Sequence, residues 1–131
     1  MSITHIKTTT VPIGDEEQAL DFYINKLGFE VRRDDKMGPD MRWIEVAPPG
    51  AQTVIVLARG YGHDADRVGT FTGLVLEADD IQTTYEKLRD NGVTFSEGPT
   101  AQPWGGVQAL FADQDGNGYV LVQTQAGTET H

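Results

Sequence analysis

The sequence predicts an α+β fold: two βαβββ modules forming curved mixed sheets around a cleft. Two observations predict it. First, runs rich in Val, Ile and Thr alternate with two stretches of helical periodicity, and the order strand, helix, three strands occurs twice. Second, markers recur at a spacing of 64 residues, which takes Asp15 onto Asp79 and Gly28 onto Gly92. A repeat this short cannot bury its own sheet, so two copies are expected to pack together as one domain. Module one spans about 3–59, the connector 60–69, module two about 70–125, and a polar tail 126–131.

In module one, Ile3 to Ile13 has strand composition and ends at Pro12 and Gly14. Asp15 is a helix N-cap, with Glu16 and Glu17 favourable in the first turn. Ala19, Leu20, Tyr23, Ile24 and Leu27 follow at helical spacing, and Gly28 ends the helix. Phe29 to Arg33 reads as a strand and Asp34 to Asp40 as a polar turn or a mobile loop. Met41 to Ala47 and Thr53 to Ala58 complete the module. In module two, Phe71 to Leu76 is a strand, and Asp79 and Asp80 open a helix carrying Ile81, Tyr85 and Leu88. Asn91-Gly92 closes it. Val93 to Phe95 is a short strand, Gly98 to Gly106 a loop, Val107 to Ala112 a strand, Asp113 to Asn117 a tight turn, and Tyr119 to Thr124 the last strand.

Composition excludes several function classes. The 131 residues carry 20 Asp+Glu against 10 Lys+Arg, a formal charge of −10, with 3 His and no Cys. Binding to nucleic acid or to an anionic membrane surface needs the opposite charge. Without Cys there is no disulfide, thiolate zinc site or iron–sulfur cluster. No segment reaches the ~18 apolar residues of a membrane span, and the N-terminus lacks a signal pattern, so a cytoplasmic location is expected. Gly105-Gly106 is too short for a phosphate-cradling loop. The acidic runs Asp15 to Glu17 and Asp79-Asp80 are helix starts, not paired catalytic carboxylates.

Two motifs carry a family resemblance. Asp15…Ala19-Leu20-Asp21-Phe22-Tyr23…Lys26-Leu27-Gly28-Phe29 resembles the first helix motif of the vicinal oxygen chelate superfamily, and Asp113-Gln114-Asp115-Gly116-Asn117-Gly118-Tyr119 resembles its turn near the C-terminus. That superfamily includes glyoxalase I, extradiol dioxygenases and bleomycin resistance proteins. The resemblance covers about residues 3–124 and implies a homodimer. It also implies one divalent metal held by His, Glu or Gln from four strands. Those positions fall on Thr8, Val56, Leu74 and Val120. None supplies a carboxylate or imidazole, and a one-residue shift does not rescue the last three. No metal and no other cofactor are therefore expected.

Strand alternation about these positions predicts a mostly apolar wall of Thr8, Thr10, Val54, Val56, Thr72, Leu74, Leu76, Val120 and Val122. If Ile44 and Val46 face the helix, Trp43 and Glu45 face the opposite way. Trp43 and Trp104 are flat aromatic surfaces with an N–H donor. Gln108 is a candidate amide hydrogen-bonder, and His63 a candidate contact from the connector. His5 reads as a strand-end surface histidine. These residues suit binding a hydrophobic or aromatic small molecule. The resemblance points to the metal-free, bleomycin-resistance-type branch that sequesters an antibiotic, with Asp34 to Asp40 and Arg59 to Val68 as closing loops. The alternative is a lyase, isomerase or dioxygenase of the same fold working through Glu45 or His63. A small-molecule sensor is a third reading.

Overall fold

The structure, a computed structural model, describes residues 2–59 and 62–124, with the backbone alone at 62–64. The tail 126–131 lies outside the described residues. The chain divides into two compact units, Met1–Gly69 and Thr70–His131.

Unit one contains β1 (Thr8–Ile13), α1 (Glu16–Leu20) continuing as a π-helical segment (Asp21–Lys26), β2 (Glu30–Gly38), β3 (Met41–Ala47) and β4 (Val54–Arg59). Its mixed sheet has the order β1-β4-β3-β2, with β1 and β4 parallel. Unit two contains β5 (Phe71–Glu77), α2 (Ile81–Asp90), β6 (Thr94–Ala101), β7 (Val107–Ala112) and β8 (Gly118–Gln123). Its order is β5-β8-β7-β6, with β5 and β8 parallel. Each parallel pair needs a crossover, and the helix supplies it. The two predicted βαβββ modules are thus present, and the α+β class holds.

In unit one, Val11, Ile13, Ile44, Val46 and Leu57 form one fully buried side of the sheet, where α1 packs on β4 with buried Ala19, Phe22 and Tyr23. In unit two, Ala109, Phe111, Tyr119 and Leu121 form the corresponding side. There the Tyr85 ring of α2 meets Phe95 edge-on at 4.7 Å, and Gln123 Oε1 accepts the first amide of α2, from Ile81, at 2.7 Å. The helix α1 or α2 thus covers one face of each sheet, and among the described residues neither α-helix packs on the other face, called helix-free below.

The helix starts show where the 64-residue repeat slips. Asp15 accepts from Gln18 N–H, and Asp80, not Asp79, accepts from Thr83 N–H. The glycines that follow, Gly28 and Gly92, both have positive φ. The first helix is one residue longer between cap and glycine, and that extra residue is taken up in the π turn, where Leu27 N–H bonds Phe22 O.

Two expected loops are strands. Asp34 to Gly38 belongs to β2, paired Asp34↔Ile44 and Asp35↔Trp43, so the mobile-loop reading of 34–40 is corrected. The run is charged on both faces because β2 is the sheet edge. Cross-strand charge pairing holds it: Arg42 bonds Asp34 at 2.7 Å and also reaches Glu17 of α1 at 2.6 Å. Likewise β6 runs on to Ala101, through Pro99, because an edge strand tolerates a missing N–H. The expected Gly98 to Gly106 loop shrinks to residues 102–106.

Candidate functional site

On the helix-free face of unit one, the register places the predicted residues together. Thr8 pairs with Val54 and Thr10 with Val56, and Val56 pairs in turn with Glu45, which pairs with Arg33. Ile44 and Val46 do face α1, so Trp43 and Glu45 point the other way. Trp43 is 37% exposed, while Val56 is buried at 3%. Trp43 Nε1 donates to Glu45 Oε2 at 2.8 Å, so the carboxylate orients the indole on the strand surface. Arg33 pairs with Asp35 and also feels Glu45, and both carboxylates hold its guanidinium more firmly protonated, with the Asp35 hydrogen bond the larger cause. Arg33 is a member that sequence reasoning passed over, although its alternation with Asp35 on the edge strand was the available signal.

In unit two the predicted wall is corrected. Gly73 adopts φ +78, a conformation that L side chains rarely take, and the β5 register slips between Phe71 and Val75. Val75, not Leu74, therefore stands beside Val120, and Leu76 pairs with the buried Leu121 on the helix side. The row on the helix-free face is Val75, Val120 and Leu110, and the next is Glu77, Val122 and Gln108. Val120 and Gln108 thus share a face, and Leu74 and Leu76 leave it. Leu74 N–H instead bonds Thr72 Oγ1, at 3.1 Å.

Trp104, 49% exposed, stands at the end of β7 where Val107 starts. Its loop is held by Gln102 N–H to Gly106 O at 2.9 Å and Gly105 N–H to Gln102 O at 3.0 Å. The indole rests against Gly106: a Cβ there would fall 1.8 Å from Trp104 Cζ3 and 2.7 Å from Gln123 O. Only glycine leaves room for the ring. The glycine pair after Trp104 was the sequence signal, and it acts as a seat for an aromatic ring. His63 falls in the turn Gly62–Arg67, and its side chain lies outside the described residues.

The model of the Glyoxalase/Bleomycin resistance protein/Dioxygenase superfamily matches residues 3–121. The chain belongs to that superfamily. A superfamily member from Sphaerobacter thermophilus DSM 20745 superposes with a TM-score of 0.87 at 41% identity, covering 92% of this chain and 98% of its own. TnmS3, an antibiotic binding protein from Streptomyces sp. CB03234, gives a TM-score of 0.84 at 38% identity, covering 95% and 99%. The lactoylglutathione lyase of Escherichia coli O157:H7 is 30% identical over 120 residues, 86% of each chain.

The divalent metal that the resemblance implies does not fit these residues. Thr8 offers one neutral hydroxyl, and Val56, Val120 and Val75 or Leu74 offer hydrocarbon, whichever register is used on β5. A divalent cation needs charged or imidazole donors to offset its dehydration. Among the described residues no three His, Asp or Glu side chains gather around one point.

Proposed function

We propose that the protein binds and sequesters a bulky, partly aromatic natural-product antibiotic without a metal, acting as a homodimer in the cytoplasm. The observation that carries this reading is the replacement of the whole donor set by Thr8, Val56, Val120 and a β5 hydrocarbon. A hydroxyl and hydrocarbons at these positions suit contact with an apolar ring system and offer nothing to activate a water. The candidate contacts within unit one are Trp43, oriented by Glu45, with Thr8, Thr10 and Val56. Within unit two, taken by itself, they are Trp104 on its glycine seat, Gln108 and Val120. The charge of −10 favours encounter with a cationic drug at low salt. The antibiotic-binding role of TnmS3, 38% identical over nearly the full chain, supports the same reading.

The 30% identical lactoylglutathione lyase favours a second reading, a lyase or isomerase of this fold with Glu45 as base. Two measurements separate them. Elemental analysis of the purified protein is expected to find no stoichiometric divalent ion. Titration with a bleomycin-type glycopeptide, a mitomycin-type quinone and a polycyclic aromatic antibiotic is expected to quench Trp fluorescence with one of them, and mass spectrometry to recover that compound intact. One tightly held metal ion per chain, or a chemically altered compound, overturns the sequestration reading.

A further inference from the structure

The helix-free face of unit two holds a concavity of about 310 Å³ that is not part of the Trp104 region. It lies at the far end of β7, five residues on from Val107, or roughly 16 Å of strand at 3.3 Å per residue. Its origin is one cross-sheet row, Phe71–Gly118–Ala112–Thr94. The two central strands place their smallest side chains in the middle of the row and the outer strands place larger ones at its ends. The result is a trough with Gly118 and Ala112 as floor.

Phe71 is the aromatic wall. It is 62% exposed, yet its position is set by the backbone: Gly118 N–H bonds Thr70 O at 3.0 Å, and Thr72 Oγ1 donates to Gly118 O at 2.7 Å. Its ring edge lies over Gly118, where a Cβ would stand 3.4 Å from Phe71 Cδ1. Leu110 extends the apolar floor, and Thr94 and Ser96 bring hydroxyls along the β6 side. Among the described residues no charged side chain lines the trough, although the chain as a whole is strongly acidic. The volume stands at the lower end of the roughly 300–1,000 Å³ of small-molecule pockets.

We propose that this trough is a second small-molecule site, taking an uncharged, flat, one- or two-ring aromatic that bears a hydroxyl. The ring lies on the Gly118–Ala112 floor against the Phe71 face. The hydroxyl pairs with Ser96 or Thr94 at the β6 rim. An anionic ring is disfavoured because no cation among the described residues meets it there. The site is complete within unit two and does not rest on the sequestration reading.

The test uses 2-naphthol, naphthalene and naphthalene-2-sulfonate as probes, with the full-length protein observed by amide NMR. Saturable shifts from 2-naphthol are expected to cluster at residues 94–96, 110–112 and 118. Phe71→Ala, at an exposed position that the fold tolerates, is expected to weaken 2-naphthol by about tenfold. Ser96→Ala is expected to weaken 2-naphthol several-fold and leave naphthalene unchanged. Ala112→Leu is expected to abolish both while the spectrum elsewhere stays folded. Trp104→Phe is expected to change neither, which separates this site from the proposed antibiotic site. The proposal is overturned by non-saturable or scattered shifts, by shifts centred on Trp43 or Trp104, by a Phe71→Ala variant within twofold of the parent, or by equal binding of the sulfonate.

Discussion

Trp43 and Glu45, two residues apart on β3, are joined by an indole N–H to carboxylate hydrogen bond of 2.8 Å. Both point away from the helix, so the bond spends no core packing and serves to hold a large ring in one orientation at the surface. An exposed hydrogen bond of this kind contributes about 1 kcal/mol. Glu45→Leu is therefore expected to leave stability within about 1 kcal/mol of the parent while freeing the indole. In a Trp104→Phe background, where Trp43 is the sole Trp, time-resolved anisotropy is expected to show a faster local component. Unchanged anisotropy would show that strand packing, not Glu45, orients the ring.

Gly106 and Trp104 make the corresponding prediction in unit two. Gly106→Ala places a methyl group inside the present ring position, 1.8 Å from Cζ3. The indole must swing off its seat, because the other nearby atom, Gln123 O, belongs to the backbone. In a Trp43→Phe background, the emission of Trp104 is expected to shift to the red and become more accessible to acrylamide. An antibiotic that quenches the parent is expected to bind Gly106→Ala at least about tenfold more weakly. Retained affinity together with a red-shifted indole would remove Trp104 from the proposed site.

Asp113 organises the turn into β8. Its Oδ1 accepts from Asp115 N–H and Asn117 N–H, both at 2.9 Å, and its Oδ2 accepts from Asn117 Nδ2 at 2.8 Å. Asp113 and Asn117 are both buried. Asp113→Ala takes away the acceptor for three donors and is expected to cost about 3 kcal/mol in urea denaturation. Asp113→Asn, which keeps acceptor capacity on one side, is expected to cost less than half of that. Equal losses from both substitutions would mean that charge, rather than turn geometry, is what the site needs.

Asp80 supplies a pH signature. The Thr83 amide, and then the Thr83 hydroxyl, hold its carboxyl below the usual value of 3.8. A folded-state value lower than the unfolded one gives stability that is complete above the ordinary value and is lost as pH falls through the folded value. Asp80→Asn keeps an N-cap but cannot titrate. The thermal midpoint of the parent is expected to exceed that of Asp80→Asn at pH 7, with the gap closing as the pH drops below 3.8. A gap that stays constant across this range would show that the cap does not depend on ionisation.

Much of the architecture was readable in the residues. The helix caps, the glycine stops and the Val/Ile strands state their own geometry, so β7 was placed at its observed limits, Val107–Ala112. Charged β2 was not readable, because an edge strand takes its character from the partner beside it: Asp34 looks like loop until β3 pairs it with Ile44 and Arg42 reaches it diagonally. The shift from Leu74 to Val75 was not readable either, since the bulge at Gly73 appears only in the pairing of β5 with β8. Nor was the trough, because Gly118 and Ala112 become one floor only once β7 and β8 are in register.

The sequence by itself determined the superfamily, the twofold βαβββ order, the net acidity and the residue types at Thr8, Val56, Leu74 and Val120. All of these are properties of residue type and spacing along the chain. Tertiary structure decided which side chains share a face: Trp43 with Glu45 and Arg33, Trp104 over Gly106, Val75 in place of Leu74. The reason is physical. A side chain's partners in a sheet are set by the register of hydrogen bonds to a strand distant in sequence, and a single bulge reverses which face it serves.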